Sequence, residues 1–297
     1  MTSWNGDPGP SQRPPWLVVP ETAKAAIEAP SMEASEFKAC CARFYADDVV
    51  RHILGESFHP GGLDLTRRIL SQVKLSSKDR LLDVAAGQGT SAILAAREFG
   101  CRVCALDLSG ENLDRAAKVA KRSGLEHLLE TRTADAERLP YADETFDVVL
   151  CECAFCTFRD RHHASGEMLR VLKPGGRLAF SDMTVSPEGL PDELDSLILK
   201  VACIADAITE DDLITEFRQT GFSDILVEDA SQGLMDMTEE IRRRLLGVKL
   251  ASRLGKISLG GIDLDAGMKL ADRSLSAILD GSIRYVTMTA RKREEAR

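Results

Sequence analysis

Short apolar runs alternating with helix-length amphipathic segments predict an α/β chain: a mainly parallel seven-stranded sheet with helices on both faces. Three observations lead there. From Arg80 onward, strand-like and helix-like periods alternate, as they do when crossover helices join parallel strands. The apolar Arg80-Leu81-Leu82-Asp83-Val84 runs into Ala85-Ala86-Gly87-Gln88-Gly89 and then into a helical pattern over 90–96, a strand, glycine turn and helix. Finally, Asp83, Asp107, Asp135 and Cys151 fall near the carboxyl ends of the expected strands, where open parallel sheets bind ligands.

The elements follow in order. The first strand is expected at 80–84 and the second at 102–106, ending at Asp107. A helix over 109–122 closes at Gly124. A weak third strand is read at 127–131 and a fourth at 146–150. A helix over 161–172 stops at the turn Lys173-Pro174-Gly175-Gly176, and a fifth strand follows at 177–181. Thr209 reads as the N-cap of a helix over 209–219, with Asp212 in the reciprocal position and Gly221 at its end. The sixth and seventh strands are expected at 223–227 and 283–290. Between them lies a helical insert at about 233–282, with helical patterns at 237–253 and 263–279. Residues 1–33 hold six of the eleven prolines and read as a disordered tail, residues 34–75 as an N-terminal helical cap, and residues 76–297 as the main domain.

Composition narrows the partners. A net charge of −9 argues against a nucleic-acid surface. No apolar run reaches the roughly 20 residues that span a bilayer. No basic segment followed by an apolar core marks a secretory signal, so a cytoplasmic chain with reduced thiols is expected. The expected partner is a small molecule.

The glycine turn has an acid first and then Gly-x-Gly. It resembles motif I of the class I S-adenosylmethionine-dependent methyltransferases. Segments of that family also match at Thr133-Ala134-Asp135-Ala136-Glu137-Arg138-Leu139-Pro140, at Asp143-Glu144-Thr145-Phe146-Asp147 and at Leu172-Lys173-Pro174-Gly175-Gly176. The resemblance covers about residues 65–230 and implies a Rossmann-like methyltransferase fold with S-adenosylmethionine as cofactor. It implies Asp83 near the methionine ammonium, Asp107 at the ribose, Asp135 and Ala136 at the adenine, and Gly87, Gln88, Gly89, Leu108 and Cys151, at the end of the fourth strand, as further cofactor-binding residues. The roughly 50 residues between the last two strands depart from the tight hairpin of a plain family member.

Eight cysteines are present, and Cys151-Glu152-Cys153-Ala154-Phe155-Cys156 starts where the acceptor should meet the methyl group. Here the chain resembles arsenite methyltransferases, with Cys153, Cys203 and Cys41 near the positions of that family's cysteines. Soft thiolates suit a soft arsenic centre, which makes Cys153, Cys203, Cys41 and Cys156 candidate acceptor residues. The spacing of Cys151, Cys153 and Cys156 is denser than in those enzymes and poor for structural zinc. Methylation of sulfide or a small thiol such as methanethiol, methylation of carbon or oxygen on a quinone-like metabolite, and a non-catalytic S-adenosylmethionine-binding or metalloid-sensing protein all remain open readings. Cys101 and Cys104 read as packing residues. His59 reads either as a turn residue or as one that closes over the cleft. His162-His163 reads as a solvated helix start, and Arg242-Arg243-Arg244 as an exposed helical face.

Overall fold

The computed structural model describes residues 58–190, 194, 207–253 and 264–294. The predicted tail at 1–33 and the first part of the cap, 34–57, lie outside the described residues, as do Cys40, Cys41 and Cys203.

The first described helix, α1 (Gly62–Gln72), buries Leu65, Thr66, Ile69 and Leu70 on one stripe. Strand β1 (Arg80–Val84) is buried from Leu81 to Val84, the continuous apolar run of a central parallel strand. The glycine turn leads into α2 (Thr90–Leu94), whose last turn widens to a π-helical turn over Ala95–Phe99 and stops at Gly100. Strand β2 (Arg102–Asp107) and helix α3 (Gly110–Arg122) follow, with the Ser109 hydroxyl accepting the Asn112 N–H as N-cap.

Strand β3 (Leu129–Thr133) lies two residues later than predicted. It is the half-exposed edge of the sheet and pairs with β2 through its backbone, so its side chains carry little of the apolar signal that marks a buried strand. Strand β4 (Phe146–Glu152) and helix α4 (Arg161–Val171) fall where expected. The predicted turn at 173–176 is instead the irregular start of a long β5 (Leu172–Val185), in which Phe146 already faces Leu172 before the register shifts.

A two-residue strand β6 (Ile208–Thr209) pairs with the end of β5, off the path of the seven main strands described. Helix α5 (Glu210–Thr220) has the predicted Thr209 cap and ends at Gly221, whose φ is +117°. Strand β7 (Phe222–Asp229) leads into the insert helices α6 (Ser231–Arg253) and α7 (Leu264–Leu279), and β8 (Ile283–Lys292) completes the sheet.

The strand order is β3-β2-β1-β4-β5-β8-β7. Strands β1 to β5 run parallel, and β8 is antiparallel to both of its neighbours, β5 and β7. One apolar core lies on the face that includes Leu65, Ile69, Leu113, Leu234, Ala277 and Ile278; the other includes Ala164, Met168, Leu213, Phe217 and Phe222. The insert therefore docks on the α1 face. Its entry is tight, since a Cβ on Gly233 would lie 2.7 Å from Gly61 Cα. Among the described residues, no helix is long and apolar enough to cross a membrane.

Candidate functional site

The carboxyl ends of β1, β2 and β4 open into one cleft. Asp83, Gly87, Gln88, Asp107, Leu108, Asp135, Ala136 and Cys153, all predicted site residues, line it. Phe58, His59, Thr90, Ser91, Asn112, Glu152, Thr157 and Phe158 line it as well. No lysine or arginine is among the lining residues, whereas four are acids: Asp83, Asp107, Asp135 and Glu152.

Asp83 sits at 3% exposure, and its Oδ2 has no hydrogen-bond partner among the described residues. Burial, with Glu152 and then Asp107 nearby, pushes its carboxyl well above the usual range, while the Ala92 N–H opposes the shift. A buried carboxylate with an orphan oxygen is costly unless a cation or a donor meets it. The ammonium of the expected cofactor is such a partner.

Asp107 is tied on both oxygens. Gly87 N–H donates to Oδ2 at 2.8 Å and Ser109 N–H to Oδ1 at 2.7 Å. Burial raises its carboxyl, and these two amides hold it down. Each oxygen keeps lone-pair capacity for a ribose hydroxyl. Asp135 is oriented by the Glu137 N–H, which donates to Oδ1 at 3.0 Å. Asn112, 1% exposed, presents an unpartnered Oδ1 in the same cleft. The residues present thus fit S-adenosylmethionine in charge and in donor count.

Gly89 does not line the cleft. Its φ is +70°, and a Cβ there would lie 2.6 Å from Ala116 Cβ. The missing side chain lets α2 approach α3 closely.

Three expected thiols separate. Cys151, expected at the cofactor, is fully buried and is not among the residues that line the cleft. Strand alternation is the reason: Glu152 faces the cleft, so its neighbour Cys151 faces the opposite core with Val149 and Phe180. Burial first, then Asp182 and other acids, raises its thiol well above the ordinary value.

Cys156, expected at the acceptor, is also withdrawn, at 4% exposure, and is not among the lining residues. Phe155 anchors the turn Phe155–Thr157 in a cluster with Phe158, Phe180 and Phe217, at ring separations of 5.8, 5.5 and 5.1 Å. Such pairs add about 0.5–1.5 kcal/mol each beyond burial; Cys156 itself packs in the opposite core, on the α1 face. The Cys156 N–H then donates to Asp182 Oδ2 at 3.0 Å.

Only Cys153 of these three reaches the cleft. It adopts a left-handed φ of +51°, and its N–H donates to Ser181 O at 2.7 Å. Cys101 and Cys104 are buried, and burial pushes the Cys101 thiol up to about 12.

Sequence reasoning missed the group around Glu152. Ser91 Oγ donates to its Oε2 at 2.6 Å, Thr66 Oγ1 lies 3.1 Å from both oxygens, and His59 Nε2 lies 3.6 Å from Oε2. His59 is buried in the cleft wall, closer to the closing role than to that of a solvated turn. The parity of β4 opposite β1 was the available signal, since Asp83 pairs in register with Leu150. None of the lining residues comes from the described part of the insert.

A family model described as a methyltransferase domain matches residues 82–180. The glycine/sarcosine/dimethylglycine N-methyltransferase of Actinopolyspora halophila is 37% identical over 132 residues, 44% of this chain, and that match spans only 23% of the relative's own length. The 27-O-demethylrifamycin SV methyltransferase of Amycolatopsis mediterranei is 28% identical over 82% of this chain and 93% of its own. Among solved structures, a phosphoethanolamine N-methyltransferase of Haemonchus contortus, in complex with phosphomonomethylethanolamine and S-adenosylhomocysteine, shares the fold with a TM-score of 0.73. It is 22% identical, covering 89% of this chain and 61% of that one.

Proposed function

The chain belongs to the class I S-adenosylmethionine-dependent methyltransferases, and from that premise we propose that it methylates a hydroxyl oxygen of a small organic metabolite. When bound, S-adenosylmethionine supplies an electrophilic methyl group on a positively charged sulfur. The protein's share is to bind, orient and exclude water. Asp83 balances positive charge at the methionine end, and Asp107 fixes the ribose. Asp135, Ala136 and Leu108 receive the adenine. Phe58 and Phe158 supply apolar wall around the reacting centre, where water would compete. Holding the acceptor in line is worth several kcal/mol in such transfers.

The observation that carries the oxygen reading is the likeness to the 27-O-demethylrifamycin SV methyltransferase along 93% of that enzyme's length. A quinol hydroxyl belongs to the same acceptor class. One observation favours a second reading, a soft acceptor such as arsenite, sulfide or methanethiol: Cys153 does line the cleft.

The test follows S-adenosylhomocysteine release with hydroxylated polyketides, a quinol series, arsenite, sulfide and methanethiol. Turnover confined to hydroxylated compounds is expected. Turnover with arsenite or a thiol alone overturns the oxygen reading, and cofactor binding without turnover by any acceptor overturns the transferase reading.

A further inference from the structure

Cys153 and Cys156 have the spacing Cys-x-x-Cys on the loop that leaves β4. Cys153 is half-buried and lines the cleft, whereas Cys156 is buried. Both pack in the core on the α1 face, while Phe155 between them enters the opposite core. Cys151 belongs to that opposite core, so the sheet separates it from the pair. Consecutive residues of β5 tether the two cysteines. The Cys153 N–H donates to Ser181 O at 2.7 Å, and the Cys156 N–H donates to Asp182 Oδ2 at 3.0 Å. Between these tethers the chain bends at Cys153 and turns, with the Thr157 N–H donating to Ala154 O at 2.9 Å. Four-residue turns hold their ends within about 7 Å, a span that a disulfide bridges.

Packing alone does not account for this pair. Cys153 holds a φ of +51°, a left-handed conformation that a side-chain-bearing residue adopts at a cost. Glycine would make the same bend without that strain. Asp182 is buried, does not line the cleft and has no part in methyl transfer. It accepts a hydrogen bond from the Cys156 thiol as well as from the Cys156 N–H. A thiol that meets the cleft, a second thiol three positions on and an acid on that second thiol are the parts of an exchange centre.

We propose that Cys153 and Cys156 form a thiol–disulfide exchange site at the wall of the cleft, with small uncharged disulfides as its oxidant. Cys153 loses its proton to water, attacks one sulfur of the disulfide and releases the first thiolate. Cys156 then attacks the Cys153 sulfur. Its proton passes to Asp182, and the second thiolate leaves. Two protein thiols are oxidised to one bridge, one disulfide is reduced to two thiols, and the two protons end on those thiols. The preference for an uncharged reagent follows from the cleft lining, which includes four acids and no lysine or arginine among the described residues. The bridge removes the Cys153 thiol from the wall. This site stands apart from the identity of the methyl acceptor.

Treatment of the folded full chain with hydroxyethyl disulfide, then alkylation and mass spectrometry, tests the proposal. The tryptic peptide 139–159 holds Cys151, Cys153 and Cys156. It is expected to lose two hydrogens and to accept one alkyl group after denaturation, on Cys151. Cys101, buried in β2, should stay unmodified until denaturation, which shows that the fold is intact. Cys156→Ser should stop at a mixed disulfide on Cys153 that carries one half of the reagent. Asp182→Asn should slow bridge closure relative to mixed-disulfide formation by about tenfold or more. A wild-type peptide that keeps three alkylatable thiols overturns the site. So does a mixed disulfide that persists in wild type, or a bridge that joins either cysteine to any other. Equal slowing of both steps in Asp182→Asn, or of neither, overturns the proton transfer assigned to Asp182.

Discussion

The Gly87 N–H and the Asp107 carboxylate are joined by a 2.8 Å hydrogen bond between residues twenty positions apart. The other oxygen of Asp107 takes the Ser109 N–H. A single side chain thus holds the glycine turn after β1 and the start of α3 around one cleft. Asp107→Ala removes both ties and the acceptor for the ribose. It should weaken S-adenosylmethionine by about 1–3 kcal/mol, measured by calorimetry. Unchanged affinity would sink the ribose assignment.

Gly89→Ala should destabilise the fold by about 2–4 kcal/mol, since it adds overpacking to backbone strain. The new Cβ would lie 2.6 Å from Ala116 Cβ, at a φ of +70°. Gly124 provides the control. It has a φ of +69° but open space around a Cβ, so Gly124→Ala should cost only about 1 kcal/mol. Urea unfolding of the two variants reads the difference, and equal costs would remove the close α2–α3 contact as the cause.

Cys153→Ser discriminates the acceptor classes. With an oxygen acceptor, the variant should keep cofactor affinity and most of its turnover, because serine matches the thiol in size and tolerates the same backbone. With a soft acceptor, turnover should collapse, since a serine hydroxyl is a hard and mostly protonated ligand. Steady-state rates with each acceptor decide. A fall in kcat on hydroxylated substrates of more than about tenfold, roughly 1.4 kcal/mol of barrier, would return the thiol to the chemistry.

Asp182 should make stability depend on pH. Burial raises its carboxyl from 3.8 to about 6, against hydrogen bonds from the Met183 and Cys156 amides. A raised carboxyl favours folding while it is protonated. That contribution is complete below the unfolded value and is lost as pH rises through about 6. Asp182→Asn does not titrate. The stability of wild type relative to Asp182→Asn should therefore fall between pH 4 and pH 7, by up to about 3 kcal/mol. Urea unfolding of both proteins at the two pH values checks it, and a constant gap would mean that the carboxyl titrates normally.

Local signals read well in this chain because they act over a few residues. Ser109 and Thr209 cap their helices through amides three positions ahead, and a cap of that kind is visible in any window that contains it. Strands β1 and β4 are buried central strands, so burial wrote itself into their composition. Edge strand β3 received no such imprint, and its position was misjudged by two residues. The acids Asp83 and Asp107 were legible because each ends a strand next to a recognisable turn.

The sequence by itself determined the alternation of strands and helices, the glycine turn and the acids beside it, since each depends on neighbours within one turn or one strand. Only the tertiary structure decided which side chains share the cleft. The parity of β4 against β1 turned Glu152 inward and Cys151 away. The turn Phe155–Thr157 sends Phe155 into one core and Cys156 into the other, on the α1 face. The group of His59, Thr66, Ser91 and Glu152 joins positions up to 86 residues apart in its direct hydrogen bonds. Such a group exists only once strand register and helix docking have closed the loops between its members, and no periodicity along the chain encodes that closure.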